Sequence, residues 1–272
     1  MYTARSGTPR DPGKSPYRRL GETCGSLYGY AEALAERLLI RPPSYETVGW
    51  KSALEDLEAH IGNVAWILEE PALRELEEST RRLLADIRHE ETYTPHWAAD
   101  SVMARLCYLA CRLTSPEIVV ETGVAYGVSS AFILRALEMN GHGTLFSVDL
   151  PPLRRNYECF WGIAVPEELR GRWELHRGTS ARVLPRLFEE ETTVDLFVHD
   201  SLHTHRNMRR EFDVVWPHLR EGGLLLADDV ERNRAFGELG QKTPTLWRVI
   251  RDRETSPLQG NAAPVVLGVA IK

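Results

Sequence analysis

Cysteine, lysine and long apolar runs are all scarce in this chain of 272 residues. The four cysteines form no CxxC pair, and Cys107 and Cys111 lie one helical turn apart on an apolar stripe. We therefore expect free thiols in the core rather than disulfides or a metal site. No stretch reaches the roughly 18 uninterrupted apolar residues of a membrane-spanning helix, and the N-terminus lacks the apolar segment of a secretion signal. These absences predict a cytoplasmic protein with no membrane partner.

Positive charge is in deficit, since 33 Lys and Arg residues face 39 Asp and Glu residues and the net charge is −6. General affinity for nucleic acid needs clustered cations that displace phosphate counterions, so this balance argues against a nucleic-acid partner. Only four of the 33 basic residues are lysines, an arginine bias that is typical of GC-rich bacterial genomes. A small molecule is the expected partner.

The first 96 residues divide into two parts by composition. Residues 1–20 are polar and rich in proline and glycine, which predicts a flexible arm because such a segment buries too little apolar surface to order itself. Residues 21–96 carry apolar side chains at intervals of three and four among many Glu and Arg residues, which is the period of amphipathic helices. A further helix is predicted from Trp97 to Leu113, since Pro116 follows it.

Beyond Pro116 the sequence changes to short apolar runs separated by helix-length segments. The runs cover residues 118–122, 144–150, 173–178, 194–200, 223–229 and 264–272. Runs that are apolar on both faces and joined by helices indicate a parallel sheet covered on each side. The sequence therefore predicts a doubly wound, Rossmann-like α/β domain over residues 97–272, with the last run as a strand that closes the edge of the sheet.

The first run ends in the segment ETGVAYGVSS, residues 121–130. Gly123 and Gly127 let the backbone turn tightly and approach a ligand, and Asp149, which ends the second run, can accept two hydrogen bonds from ribose hydroxyls. A dinucleotide fold would carry G-x-G-x-x-G, whereas this loop reads E-x-G-x-x-x-G, with Glu121 able to meet a cationic amino group. A methionine-derived cofactor fits this loop better than NAD, and a purely structural glycine turn stays open. After the third run, the Ser180 hydroxyl either faces an adenine ring or caps the next helix.

The fourth and fifth runs end in acidic residues. Asp200 follows one run, and Asp228 and Asp229 follow the other, so neighbouring strand ends bring three carboxylates together. Unpaired anions in one crevice repel unless a cation neutralises them, and oxygen ligands suit Mg²⁺. His203, three residues after Asp200, is a candidate general base near neutral pH. In the structural alternative, the acidic pair caps a helix and Asp200 pairs with an arginine. We assign no catalytic role to His199 or His205.

Together the segments ETGVAYGVSS, SVDL, GTS, VHDSLHT and GGLLLADD resemble the metal-dependent class I O-methyltransferases. The likeness covers roughly residues 100–230. Catechol O-methyltransferase is similar in its glycine loop, and the macrocin and mycinamicin type sugar O-methyltransferases are more similar, because they carry D-x-x-H followed by an acidic pair. Since the catechol type has Lys in place of His203 and Asn in place of Asp229, a sugar or polyol acceptor is favoured over a catechol.

The resemblance implies metal ligation by Asp200, Asp228 and Asp229, and proton abstraction by His203. The cofactor residues that we assign with it are Glu121, Gly123, Tyr126, Gly127, Ser129, Asp149, Asp200 and, near the adenine, Ser180. In such families the N-terminal region shapes the acceptor pocket and the oligomer, so we expect residues 21–96 to form a lid or a homo-oligomer contact.

The predicted function is S-adenosylmethionine-dependent, Mg²⁺-assisted methylation of a hydroxyl on a sugar or polyol part of a bacterial natural product. Two alternatives stay open. One is a metal-independent methyltransferase that acts on an amine, thiol or carboxylate, and the other is a relative of the same fold that does not methylate.

Overall fold

The structure is a computed structural model, and it describes residues 29, 31–36, 38, 41–88, 90, 98–151, 155–188, 192–253 and 264–272. The predicted arm over residues 1–20 lies outside the described residues, as do Cys24 and Trp97. Within the described part of the chain, every helix is too short or too polar to span a lipid bilayer.

Apart from residues 31–36, the described residues form eight α-helices and eight strands. The helices are α1 (Trp50–Ile61), α2 (Ala65–Leu68), α3 (Pro71–Ile87), α4 (Ser101–Thr114), α5 (Val128–Asn140), α6 (Ser180–Leu187), α7 (His205–Val215) and α8 (Ala235–Gly240). The strands are β1 (Thr47–Val48), β2 (Ile118–Thr122), β3 (Thr144–Asp149), β4 (Trp173–Arg177), β5 (Val194–His199), β6 (Leu219–Ala227), β7 (Leu246–Arg253) and β8 (Pro264–Ile271). Short 3₁₀ helices cover Arg155–Phe160, Glu167–Arg172 and Val230–Arg232. Residues 31–36 are also helical.

Local sequence explains where α4 begins and ends. The Asp100 carboxylate accepts a hydrogen bond from the Met103 backbone N–H at 2.8 Å, so the helix begins at Ser101 rather than at Trp97 as predicted. Ser115 adopts a left-handed conformation (φ 46°) directly before Pro116, and the helix ends there as expected.

All eight strands join one sheet in the order β1-β7-β8-β6-β5-β2-β3-β4. Neighbouring strands are parallel except β8, which is antiparallel to both β6 and β7. The predicted doubly wound α/β fold is confirmed. One detail was wrong: β8 lies inside the sheet and does not close its edge, because β7 pairs with it over eight residues and the short β1 covers β7. Strands β1 and β7 were not predicted from the sequence.

The sheet separates two layers of packed side chains. Consecutive strand residues face opposite layers, with Val119 in one apolar cluster and Val120 in the other. The first cluster contains residues of α1 to α5, and the second contains residues of α6 to α8. Because the N-terminal helices share the first cluster with the sheet, they pack on the same core as residues 97–272.

The two cysteines of α4 are buried and free, as predicted. Cys159 is exposed, so the expectation of a core position was wrong for this residue. Its short 3₁₀ helix lies between β3 and β4.

Candidate functional site

The glycine loop after β2 lies directly against the end of β5. Gly123 has φ 89°, and a Cβ atom built there would lie 1.9 Å from the Asp200 carbonyl oxygen. The Asp200 backbone N–H also donates to the Thr122 carbonyl oxygen at 2.8 Å. Only glycine fits at this contact. The glycine loop, which we assign to the cofactor, therefore lies directly beside the acidic residue that follows β5, at one edge of the sheet.

The second loop glycine serves a similar contact. Gly127 has φ 79°, and a Cβ atom there would lie 2.9 Å from the Gly162 Cα atom. The backbone N–H groups of Gly162 and Ala164 donate to the carbonyl oxygens of Ala125 and Tyr126, at 2.9 and 2.8 Å. The glycines were predicted to allow close approach of a ligand, and the close approach visible in the structure is to other segments of the protein.

Glu121 is fully buried at the end of β2. Its carboxylate accepts hydroxyl hydrogen bonds from Ser129 (2.5 Å), Ser130 (2.6 Å) and Ser147 (2.7 Å). Burial raises the pKa of Glu121 to about 7, although these three bonds oppose the shift. In the structure Glu121 and Ser129 therefore bind each other inside the core and stabilise the start of α5.

Asp149 supports the glycine loop from the end of β3. Its Oδ2 atom accepts hydrogen bonds from the Val124 and Ala125 backbone N–H groups at 3.1 Å and from the Trp161 indole at 2.9 Å. Its Oδ1 atom accepts the Leu150 N–H at 2.7 Å. Burial raises its pKa, against the effect of these donors. The contribution of Trp161 was not anticipated from the sequence, because it lies twelve residues away in an irregular segment.

The remaining predicted cofactor residues are placed less distinctively. Tyr126 is 3% exposed and packs in the first apolar cluster. Ser180 is the first residue of α6, and its hydroxyl lies 3.4 Å from Asn207 Oδ1. The residue before it, Thr179, makes no side-chain cap for the helix. These contacts neither assign Ser180 to an adenine ring nor make it a helix cap.

At the same edge of the sheet, after strands β5 and β6, the side chains of Asp200, His203 and Asp228 lie close together. Each offers one ligand atom, and the three atoms lie within 4.8 Å of one another. The His203 Nε2 atom lies 3.6 Å from Asp200 Oδ1 and 3.9 Å from Asp228 Oδ2, and it is buried without a hydrogen-bond partner. Among the described residues, no lysine or arginine lies within ion-pair distance of Asp200 or Asp228. The cluster therefore has an excess of negative charge, and within the described part of the chain the His203 Nε2 atom neither donates nor accepts a hydrogen bond.

Asp229 is placed differently from the other two aspartates. Its Oδ2 atom forms an ion pair with Arg232 at 2.6 Å and lies 3.3 Å from His203 Nδ1. Its backbone is left-handed, with φ 53°, and its side chain makes no cap for the following 3₁₀ helix. The structural alternative of a capping acidic pair is therefore not observed for Asp229, although its charge is already paired.

Burial and like charge dominate the electrostatics here. Burial and then the charge of Asp229 raise the pKa of Asp200 well above its usual range, although Asp200 shares a hydrogen bond with Asp228. The pKa of Asp228 is raised for the same two reasons. Asp100, the cap of α4, adds to both shifts. Burial holds the pKa of His203 well below its usual range, with contributions from His199 and Arg232, so its imidazole is neutral and able to accept a proton.

Behind this cluster lies a buried polar network that the sequence analysis missed. Glu211 of α7 is fully buried and accepts hydrogen bonds from Thr122, His199, Ser201 and Asn207. The signal was present in the sequence, because Asn207 and Glu211 fall on the apolar stripe of α7, where charged and amide side chains are out of place.

The N-terminal helical segment touches the same loop from outside. Glu32 Oε1 accepts a hydrogen bond from the Thr204 hydroxyl at 3.0 Å, and Glu36 Oε2 accepts the His205 backbone N–H at 2.8 Å. A Cβ atom on Gly29 would lie 3.0 Å from a Leu202 methyl group. The segment thus covers residues 202–205 and satisfies a free N–H group at the start of α7.

Comparison with known proteins was made by sequence and by fold. Residues 120–230 match a family model described as a methyltransferase domain, which covers less than half of the chain. An L-olivosyl-oleandolide 3-O-methyltransferase from Streptomyces antibioticus is 30% identical over 74 residues, which are 25% of this chain and 19% of that protein. The chain thus spans about a fifth of the length of the curated relative that it matches.

Solved structures resemble the fold over a longer stretch. The O-methyltransferase TomG from Streptomyces achromogenes, involved in tomaymycin synthesis and in complex with SAM, has a TM-score of 0.54 at 18% identity, and covers 82% of this chain and 96% of its own. The O-methyltransferase from Bacillus cereus in complex with SAH has a TM-score of 0.53 at 14% identity, over 82% and 98%. The chain therefore has the Rossmann-like fold of these O-methyltransferases, and its residues 120–230 match a methyltransferase domain.

Proposed function

We propose that the chain is an S-adenosylmethionine-dependent O-methyltransferase that is assisted by a divalent cation. The observation that carries this proposal is the convergence of Asp200, His203 and Asp228 beside the glycine loop. Ligands bind at the carboxyl ends of the strands in this class of fold, and both groups of residues lie there.

S-adenosylmethionine, when bound, supplies the electrophilic methyl group. The domain match and the SAM and SAH in the two structural neighbours support this cofactor. Among the described residues, Asp149 Oδ1 accepts a single hydrogen bond, from Leu150, so it has lone pairs left for a ribose hydroxyl. Glu121 acts from within the core by holding Ser129 and Ser130 at the start of α5.

A divalent cation such as Mg²⁺, when bound, supplies a Lewis acid that favours loss of a hydroxyl proton. Carboxylate oxygens are the ligands that hard cations prefer, and the buried, unpartnered nitrogen of His203 marks a place where a further group fits. Asp200 and Asp228 would hold the cation. Asp229 would become a further ligand of the cation if its carboxylate gave up the ion pair with Arg232.

His203 would accept the proton of the acceptor hydroxyl. Its imidazole is neutral, and Asp229 lies 3.3 Å from Nδ1, where a carboxylate orients the ring and stabilises the protonated form. The Asn233 side chain donates to the His203 carbonyl oxygen at 3.2 Å and fixes the backbone of this residue. The chain thus contributes a positioned base and a negatively charged cation site.

The acceptor that we propose is a hydroxyl on a sugar or polyol part of a natural product. The name of the Streptomyces antibioticus relative supports a glycosylated acceptor, and the involvement of TomG in tomaymycin synthesis supports a natural product. The contacts of Glu32 and Glu36 with the loop that carries His203 support a role for the N-terminal segment as a wall of the acceptor site. A homo-oligomer remains a prediction.

The direct test is transfer of a labelled methyl group from S-adenosylmethionine to a panel of glycosylated and free polyols. The assay is run with EDTA and after restoring Mg²⁺, and we expect transfer only with Mg²⁺. A thermal shift with S-adenosylhomocysteine but not with NAD checks the cofactor separately. No transfer to any hydroxyl acceptor, together with transfer to an amine or thiol, would contradict the proposal.

Metal-independent methyl transfer is the second candidate. It is favoured by the Asp229–Arg232 ion pair and by the hydrogen bond between Asp200 and Asp228, which together neutralise part of the cluster without a cation. Full activity in EDTA would decide for this candidate.

A further inference from the structure

Glu211 lies at the centre of the buried network behind the acidic cluster. Its Oε2 atom accepts hydrogen bonds from the Thr122 hydroxyl at 2.6 Å and from His199 Nδ1 at 2.7 Å. Its Oε1 atom accepts hydrogen bonds from the Ser201 hydroxyl at 2.9 Å and from the Asn207 amide at 2.8 Å. One carboxylate thus joins the end of β2, the end of β5, the loop after β5 and helix α7.

The groups that donate to Glu211 lie on both sides of Asp200, the proposed metal ligand, and His203, the proposed base, in the sequence. His199 immediately precedes Asp200, and Ser201 immediately follows it. The Asn207 amide also donates to the Ser201 hydroxyl and to the Leu202 carbonyl oxygen, both at 3.0 Å. Consequently the backbone on both sides of Asp200, and as far as the residue before His203, is fixed by Glu211 and Asn207.

The buried charge of Glu211 makes this clamp rigid. Burial would raise its pKa, but the neighbouring His199 and the hydrogen bonds to its oxygens lower it to about 2, so the carboxylate stays ionised. Hydrogen bonds to a charged group are stronger than neutral ones, and each donor would be left unsatisfied if the group were lost. The His199 and His203 rings also pack edge to face, 5.4 Å apart.

We propose that Glu211 is a positioning residue for the cation site: it holds the Asp200–His203 loop in the geometry that brings Asp200 towards Asp228. This inference rests on the proposed metal-assisted function. Groups that orient metal ligands without touching the metal commonly change metal affinity about 10- to 100-fold when they are replaced.

The test measures Mn²⁺ binding by the full chain, by calorimetry or by the loss of the free Mn²⁺ electron spin resonance signal. Glu211→Gln keeps the shape but removes the charge, and we expect it to bind Mn²⁺ about 10- to 100-fold more weakly. The matched control is Glu70→Gln, since Glu70 is also a nearly buried carboxylate. It forms an ion pair with Arg112 and accepts a hydrogen bond from the Tyr108 hydroxyl, and both partners lie far from it in the sequence. Both variants should melt at lower temperature, but only Glu211→Gln should lose Mn²⁺ affinity.

Ser201→Ala covers the case in which Glu211→Gln does not fold. It removes one hydrogen bond to Glu211 and should weaken Mn²⁺ binding about threefold to tenfold. Mn²⁺ affinity within twofold of wild type in the folded variants would overturn the positioning role alone. Absence of Mn²⁺ binding by the wild-type protein would overturn the metal site, and with it this inference.

Discussion

The candidate site has two ends, the glycine loop after β2 and the acidic residues after β5 and β6. Their buried charges are satisfied in different ways. At the glycine-loop end, three serine hydroxyls bind Glu121, and backbone and indole N–H groups bind Asp149. At the acidic end, His203 Nε2 has no hydrogen-bond partner among the described residues, and burial and the neighbouring Asp229 carboxylate raise the pKa of Asp200. The buried carboxylates of the first end are thus paired with donors of the protein, whereas the second end is where we propose that a cation binds.

The largest effect should come from Asp200→Ala. Losing a metal-based Lewis acid removes several kcal/mol of transition-state stabilisation, so turnover should fall on the order of 10³-fold and the residual rate should no longer respond to Mg²⁺. The labelled-methyl assay with and without EDTA measures both. Asp195→Ala, at the other end of the same strand, is the control, since Asp195 binds Arg220 and should preserve metal dependence. Full activity of Asp200→Ala in EDTA would discredit the metal site.

His203→Ala should come next, with a loss of turnover of about 10²-fold, the lower end of the usual contribution of a general base. Affinity for S-adenosylhomocysteine, measured by calorimetry, should not change. His205→Ala, whose ring contacts Glu238 instead, should retain turnover. An unaltered rate in His203→Ala would remove the base assignment, and a loss of Mn²⁺ binding would make His203 a ligand.

The two buried glutamates should respond to pH in opposite directions. Glu121 has its pKa raised from 4.5 to about 7, so its contribution to the free energy of unfolding is present below pH 4.5 and is lost as the pH rises through 7. Glu211 has its pKa lowered from 4.5 to about 2, so its contribution is present above pH 4.5 and is lost as the pH falls towards 2. Each effect is on the order of 3 kcal/mol.

Chemical denaturation at pH 3, 5 and 8 checks this pair. The free energy of unfolding of Glu121→Gln, relative to wild type, should rise between pH 5 and pH 8. Glu211→Gln should be less stable than wild type by the largest amount at pH 8 and by the smallest amount at pH 3. Parallel pH profiles for the two variants would contradict the comparison between the two ends.

The smallest effect should come from Glu36→Gln. This change weakens a charge-assisted hydrogen bond to the His205 N–H, so the KM for the acceptor should rise about threefold to tenfold with little change in cofactor affinity. Steady-state kinetics measures it, with the exposed Glu55→Gln of α1 as control. Equal KM values in both variants would remove the N-terminal segment from the acceptor site.

The sequence by itself determined the fold class and which residues follow the strands at the candidate site. Short apolar runs with helix-length connections predict buried parallel strands, and β2 was predicted to the residue. Asp200, His203 and Asp228 were brought together on the same argument, because the ends of neighbouring parallel strands meet at one edge. Such patterns are local and periodic, so they can be read from a single chain.

Only the tertiary structure decided which polar groups satisfy one another. Strand β7 reads LWRVIRDR, without the continuous apolar run that marks the other strands, and it joins the sheet by pairing with β8 over eight residues. Glu211 reaches His199 and Thr122 from a helix, across 12 and 89 residues of sequence. These pairings depend on distances between separate elements, which no spacing along the chain specifies.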